Sequence, residues 1–104
     1  MKKIYNKLVR DRIPEIIECS GKKAAIRAAG EAEYKQLLRQ KLLEEVNEYM
    51  ENGSSEELAD ILEVITALAG THSLSFADLV KMAEEKRKER GGFEERIVLI
   101  SVEE

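Results

Sequence analysis

Two runs of helically spaced apolar residues, separated by a very short break, constrain the fold of this chain more than any other feature. In the first run, residues 31–51, apolar side chains recur at helical spacing: Tyr34, Leu37, Leu38, Leu42, Val46, Tyr49 and Met50. The second run, residues 55–70, repeats the spacing with Leu58, Ile61, Leu62, Ile65 and Leu68. Asn52-Gly53-Ser54-Ser55 interrupts the pattern. Because so few residues connect the runs, we predict two helices packed antiparallel as an αα-hairpin.

A shorter helix is expected on each side of this hairpin. Pro14 suits the first turn of a helix over residues 12–20, because proline needs no hydrogen-bond partner there. Ser75 can cap a further helix over residues 76–90, which Gly91-Gly92 ends. Together with the hairpin, these segments predict a mainly α chain.

The chain ends in a β-branched segment, residues 97–102, which predicts a short buried strand. Its expected partner is the stretch at residues 3–5, and the β-ribbon that the two ends form must pack on the helices or on another subunit. A chain of 104 residues can build one core and is too short for two. We therefore expect a single domain over residues 1–104, a helical bundle with a short terminal β-ribbon.

The composition excludes several classes of function. With 21 acidic and 17 basic residues the net charge is −4, which argues against binding to a nucleic-acid polymer. No apolar run approaches the roughly 20 residues of a membrane span, and the N-terminus lacks the apolar segment of a signal peptide. Cys19 is the only cysteine, so no internal disulfide can form, and a cytoplasmic location is expected.

Paired carboxylates lie on both helices of the predicted hairpin. Glu45 and Glu48 are three residues apart on the first helix, and Glu57 and Asp60 repeat that spacing on the second. At about 100° per residue, the members of each pair lie about 60° apart on one face. Glu44 adds a further acid beside the first pair. Because the connection is short, folding the hairpin can bring the two pairs together.

Converging carboxylates disfavour one another's ionisation unless a cation compensates them. Mg²⁺ takes oxygen ligands and bridges carboxylates to substrate phosphates, so a magnesium site is the functional interpretation, with Mn²⁺ as a possible substitute. The alternative interpretation is a helix face whose acidic side chains are only solvated and bind no ion. In addition, Ser54-x-x-Glu57 matches a capping box, in which Glu57 would only bond back to the start of its helix.

A basic segment closes the last predicted helix. Lys86 and Arg90 lie four residues apart, just before Gly91-Gly92. The functional interpretation is a phosphate clamp, since arginine binds phosphate through two hydrogen bonds and lysine supplies a point charge. The alternative is a charged helix C-terminus that only complements the helix dipole.

Three motifs follow one another along the chain. The first is KLVRDRIPE at residues 7–15, the second is EExxE at 44–48 with ExxD at 57–60, and the third is Lys86-x-x-x-Arg90-Gly91-Gly92-Phe93. In this order they resemble the MazG-like, all-α NTP pyrophosphohydrolase superfamily, which includes phosphoribosyl-ATP pyrophosphohydrolase and dimeric dUTPases. The first and third motifs look like those of a compact house-cleaning branch, and the resemblance spans nearly the whole chain.

This resemblance implies a fold, an activity and a site. It implies a helical bundle of the all-α NTP pyrophosphatase type, assembled as a dimer or a tetramer. It implies Mg²⁺-dependent release of pyrophosphate from a nucleotide, leaving a nucleoside monophosphate. The implied metal ligands are Glu45, Glu48, Glu57 and Asp60. The gap between the acidic motifs is shorter than in many relatives, which leaves the substrate pocket less defined.

The mechanistic hypothesis is attack of water on the α phosphorus, with pyrophosphate as the leaving group. Glu44 or Glu63 is expected to orient or deprotonate the water, while the Lys86–Arg90 segment stabilises the leaving phosphates. Lys7, Arg10 and Asp11 have two open roles: they bind substrate, or they form salt bridges that hold the N-terminal segment to the bundle.

Two alternatives belong to other classes of protein. One is a non-catalytic helical module that self-associates through its apolar faces, and the other is a regulatory domain that binds nucleotides without cleaving them. The sequence does not identify the base or the sugar, so phosphoribosyl-ATP, dUTP, dCTP and damaged nucleotides all stay open as substrates.

Overall fold

The computed structural model describes residues 1–104 and contains four α-helices and no β-strand. The helices are α1 (Ile13–Cys19), α2 (Glu31–Asn52), α3 (Ser55–Thr71) and α4 (Phe76–Arg90). All four predicted helices are confirmed, and each end lies within one residue of its predicted position. None of them combines the length with the apolar character that crossing a membrane requires.

Gly53 makes the tight turn between α2 and α3. Its backbone is left-handed, with φ of 64°, a conformation that glycine adopts without strain. The Gly53 N–H donates to the carbonyl oxygen of Tyr49 at 2.7 Å, which closes the end of α2. Ser54 is extended, and α3 begins at the next residue. As the short connection predicted, α2 and α3 pack against each other in the largest helix–helix contact of the chain.

The core inside this hairpin is small. Only three apolar side chains are buried: Leu38 of α2, and Val64 and Ala69 of α3. The helix α4 contacts α3 alone, and α1 and α4 contribute no buried residue. The radius of gyration is 18.4 Å, whereas a compact chain of this length is expected to have a value of about 13 Å. One copy of the chain therefore does not enclose its apolar surface.

Large apolar side chains remain exposed on both helices of the hairpin. Leu43 and Met50 of α2 and Leu58 and Leu62 of α3 are all exposed, at 47–76% of their full surface. Exposed apolar residues that extend over two packed helices mark an interaction surface more often than an ordinary solvated face.

The predicted terminal β-ribbon is wrong. Residues 97–102 are not part of a strand, and Ile97 and Ile100 are 80% and 92% exposed. The stretch at residues 3–5, the predicted partner, is also outside any strand and exposed. The physical reason is that a two-stranded ribbon is marginal unless it packs on other elements. Within this chain nothing covers either segment.

The fourth helix begins with a complete capping box. The Asp78 N–H donates to the Ser75 hydroxyl at 3.0 Å, and the Ser75 N–H donates to the Asp78 carboxylate at 2.9 Å. These hydrogen bonds to the ionised carboxylate hold the pKa of Asp78 below its ordinary value. The prediction that Ser75 caps this helix is confirmed.

Replacing the capping serine should destabilise the protein measurably. We expect Ser75→Ala to lower the free energy of unfolding by about 1 kcal/mol, because it leaves the Asp78 N–H without its acceptor. Urea unfolding at fixed protein concentration measures this. Ser101→Ala, in the exposed tail, is the matched control and should be neutral. Equal stability of the two variants would contradict the assignment.

Candidate metal centre

The hairpin brings the predicted carboxylates together. Oxygen atoms of Glu44, Glu45 and Glu48, all on α2, lie within 4.8 Å of one another. Glu45 belongs to a second group with the same spacing, in which its partners are Glu57 and Asp60 of α3. We refer to these five residues as the acidic cluster. A divalent cation needs several oxygen ligands from different side chains, and the cluster offers them at that separation.

Glu45 is the central member of the acidic cluster and the only buried charged residue of the chain. It is 6% exposed. Its Oε1 lies 3.3 Å from the Lys41 Nζ, whereas its Oε2 is buried without a hydrogen-bond partner. Burying a carboxylate oxygen without a donor costs free energy, so native structures seldom leave one unpaired. This orphaned oxygen, surrounded by further acids, fits a bound cation.

Glu48 shows the electrostatic cost of the acidic cluster. Repulsion from the charge of Glu45 raises the pKa of Glu48 above its ordinary value of 4.5, and loss of solvation and the nearby Glu57 carboxylate act in the same direction. A raised carboxyl pKa means that the surroundings disfavour the ionised form. A cation between these side chains would reverse the effect.

Basic residues of the N-terminal segment contact the acidic cluster. The Lys7 Nζ donates to the Glu44 Oε1 at 2.8 Å, and an Arg10 guanidinium nitrogen donates to the Asp60 Oδ1 at 2.7 Å. The Lys7 contact lowers the pKa of Glu44 and raises that of Lys7. The salt-bridge role left open by the sequence is therefore observed for Lys7 and Arg10, while Asp11 makes no ion pair.

Glu57 is not used as a helix cap. The Ser54 side chain makes no capping hydrogen bond, so the capping box suggested by Ser54-x-x-Glu57 is not formed. Instead, the Asn52 side-chain amide donates to the Glu57 Oε1 at 3.3 Å. The Glu57 carboxylate is thus free to face the acidic cluster from the start of α3.

The structure does not bring the basic end of α4 to the acidic cluster. Lys86 and Arg90 are exposed and form no ion pair, while their neighbour Arg87 pairs with Glu94. The helix that carries them makes no contact with α2. Their role as a phosphate clamp therefore stays a prediction. Within one chain, these two residues do not reach the acidic cluster.

Lys41 is a part of the site that was not predicted. Its Nζ lies 3.7 Å from the Glu44 Oε2 and 3.3 Å from the Glu45 Oε1. The signal was present, because lysine and glutamate four residues apart on a helix are neighbours. The positive charge offsets part of the negative charge of the cluster but leaves the Glu45 Oε2 unpaired.

Comparison with known proteins yields no relative. No family model matches the chain, and neither a curated protein nor a solved structure matches it.

Magnesium should stabilise the folded protein through Glu45. At 100 times its dissociation constant a ligand adds about 2.7 kcal/mol, so the melting temperature should rise on addition of Mg²⁺. Glu45→Gln should lose most of this rise, while its side-chain carbonyl oxygen can still accept a hydrogen bond from the Lys41 Nζ. Thermal unfolding with and without Mg²⁺ measures both effects.

Glu51→Gln is the matched control for this comparison. It removes one negative charge from the same helix at an exposed position outside the acidic cluster. This control should keep the full magnesium response. An equal response in Glu45→Gln and Glu51→Gln would show that Mg²⁺ does not bind at the buried carboxylate.

Proposed function

We propose that this protein is a Mg²⁺-dependent nucleoside triphosphate pyrophosphohydrolase, which cleaves between the α and β phosphates and releases pyrophosphate and a nucleoside monophosphate. Its role would be house-cleaning of non-canonical nucleotides, or action on substrates like phosphoribosyl-ATP. The observation that carries the proposal is the buried, unpartnered Oε2 of Glu45 among four further acids. The order of the three sequence motifs, which resembles the MazG-like superfamily, supports the reaction class.

The residues present fit the proposed cation. Glu45, Glu48, Glu57 and Asp60 are the carboxylates that would hold Mg²⁺, or Mn²⁺ in its place, because they offer hard oxygen donors from two helices. When bound, the ion supplies neutralisation of phosphate charge and lowers the pKa of a coordinated water. The enclosed position of Glu45 limits competition from solvent.

Glu44 and Glu63 are the candidates for orienting or deprotonating the attacking water. The lowered pKa of Glu44, caused by the hydrogen bond from Lys7, keeps it ionised and makes it a weaker base. Orientation therefore suits Glu44 better than proton uptake, and Glu63, one turn after Asp60 on α3, is the stronger candidate for the base.

Basic residues would position the phosphates. Lys7 and Arg10 already lie at the acidic cluster, so they can exchange a carboxylate partner for a phosphate when the substrate arrives. Lys86 and Arg90 are proposed to contact the leaving phosphates. Since α4 does not contact α2 within one chain, that contact would come from a different copy of the chain or from a movement of α4.

We propose that the protein acts as a homo-oligomer, a dimer or a tetramer, in the cytoplasm. The support is the exposed apolar surface on α2 and α3 and the large radius of gyration of a single chain. These features equally suit the alternative of a non-catalytic helical module that self-associates. What favours the enzyme is the buried Glu45 Oε2 without a hydrogen-bond partner, which self-association does not require.

Pyrophosphate release from a panel of nucleotides, with and without Mg²⁺, tests the activity. Glu48→Gln and Asp60→Asn should each lower kcat/KM more than roughly 100-fold, because each change removes a proposed metal ligand. Losing only a hydrogen-bond partner of a metal ligand costs roughly 10- to 100-fold. Circular dichroism should show unchanged helical content, and Glu51→Gln should retain activity. Wild-type turnover in both cluster variants would refute the assignment. Nucleotide binding without turnover would favour a regulatory domain. The absence of both binding and turnover would favour a non-catalytic helical module.

Self-association is tested by sedimentation equilibrium. The wild type is expected at a multiple of its 11.8 kDa chain mass. Leu62→Glu should weaken association at least roughly 10-fold, because one buried leucine contributes about 1.5–3 kcal/mol. A wild type that sediments as a monomer at all concentrations would contradict the proposal.

A further inference from the structure

A cavity of about 430 Å³ lies between the N-terminal segment and the α2–α3 hairpin. Its apolar wall contains Tyr34, Leu38 and Val64, and Glu45 and Asp60 of the acidic cluster also line it. Small-molecule sites typically measure about 300–1,000 Å³, with apolar walls and a few polar groups. A molecule whose phosphates bind at the cluster can therefore place its other end in this cavity.

A fixed turn places Asp11 among the residues that line the cavity. The Ile13 N–H donates to the Arg10 carbonyl oxygen at 3.0 Å, which closes a turn around Asp11 and Arg12. The same turn is attached to α3 by the ion pair between Arg10 and Asp60. Asp11 thus belongs to the wall that the N-terminal segment contributes to the cavity.

The basic side chains around the cavity have acidic partners, whereas two of the acidic side chains have no partner. Every basic side chain that lines it has an acidic partner: Arg10 with Asp60, Arg12 with Glu15, and Lys41 with Glu44 and Glu45. The Asp11 and Glu63 carboxylates have no hydrogen bond or ion pair within the chain. Because an ionised carboxylate only accepts hydrogen bonds, the cavity favours a ligand that brings N–H donors and disfavours one that brings carbonyl oxygens.

We propose that this cavity receives the nucleobase of the substrate, with Asp11 selecting bases that carry an exocyclic amino group. Adenine and cytosine present such a group, whereas hypoxanthine and uracil present a carbonyl oxygen at the same position. Tyr34 offers an aromatic face on which the base can stack. The inference rests on the proposed function, since the phosphates must lie at the acidic cluster, and it narrows the substrate to amino-bearing nucleotides.

Two nucleotide pairs, ATP against ITP and CTP against UTP, isolate the amino group. Turnover is followed as kcat/KM for pyrophosphate release, and binding is followed by calorimetry with the non-cleavable α,β-methylene analogues, all with Mg²⁺. The wild type should favour the amino member of each pair roughly 10-fold or more, which is what one hydrogen bond to a charged group contributes. The effect should appear in binding as well as in turnover.

Substitutions at Asp11 distinguish selection from a structural role. Asp11→Ala should remove the preference within each pair, and Asp11→Asn should weaken or invert it, since an amide can donate to a carbonyl oxygen. Glu51→Gln, which removes a charge far along α2, should keep the wild-type preference. Circular dichroism establishes that each variant is folded.

Each outcome separates the two hypotheses. If the wild type cleaves nucleotides without preference, or the preference survives in Asp11→Ala, the inference is overturned while the proposed activity stands. If the analogues bind with an Asp11-dependent preference and no nucleotide is cleaved, base binding in the cavity is supported and the proposed hydrolase activity is refuted. If no nucleotide binds, both are overturned.

Discussion

The buried carboxylate of Glu45 is the constraint on which the rest of the site depends. Its charge lies in the interface of α2 and α3, where Lys41 satisfies one oxygen and nothing in the chain satisfies the other. Removing such a charge from water is costly unless a compensating charge accompanies it. The tight turn at Gly53 makes this cost greater, because it holds the acids of α3 against those of α2. The same arrangement that burdens the free protein is therefore suited to retain a divalent cation.

The N-terminal segment lies across this site and is held by exposed ion pairs. Lys7 with Glu44 and Arg10 with Asp60 are one-third to one-half exposed at each side chain, and pairs of this kind contribute only about 0–1 kcal/mol each. These ion pairs thus position the segment but hold it only weakly. A polyanion that offers stronger charge-assisted hydrogen bonds can displace these carboxylate partners from the basic side chains at little cost.

The small core leaves much of the apolar surface of the chain uncovered. Three buried apolar residues are too few to hold four helices, and α1 contacts no other helix. Leucines of α2 and α3 that are half exposed or more, together with the exposed apolar residues at both chain ends, leave a large apolar surface uncovered in one copy of the chain. The terminal segments have strand-forming sequences, but inside one chain neither meets a partner, and both stay exposed.

The sequence by itself determined the helices and the local grouping of the acids. Apolar spacing, Gly53 and the Ser75 cap act within a few residues, so the helix ends could be predicted to within one position, and a three-residue spacing places Glu45 beside Glu48 whatever the surroundings. Only the tertiary structure decided which acid is buried, that Lys7 and Arg10 reach the cluster, and that residues 97–102 form no strand. Local hydrogen bonds and sterics fix the first set, because they depend on near neighbours in the chain. Burial and ion pairing across tens of residues depend on which surfaces meet, and sequence spacing carries no record of that.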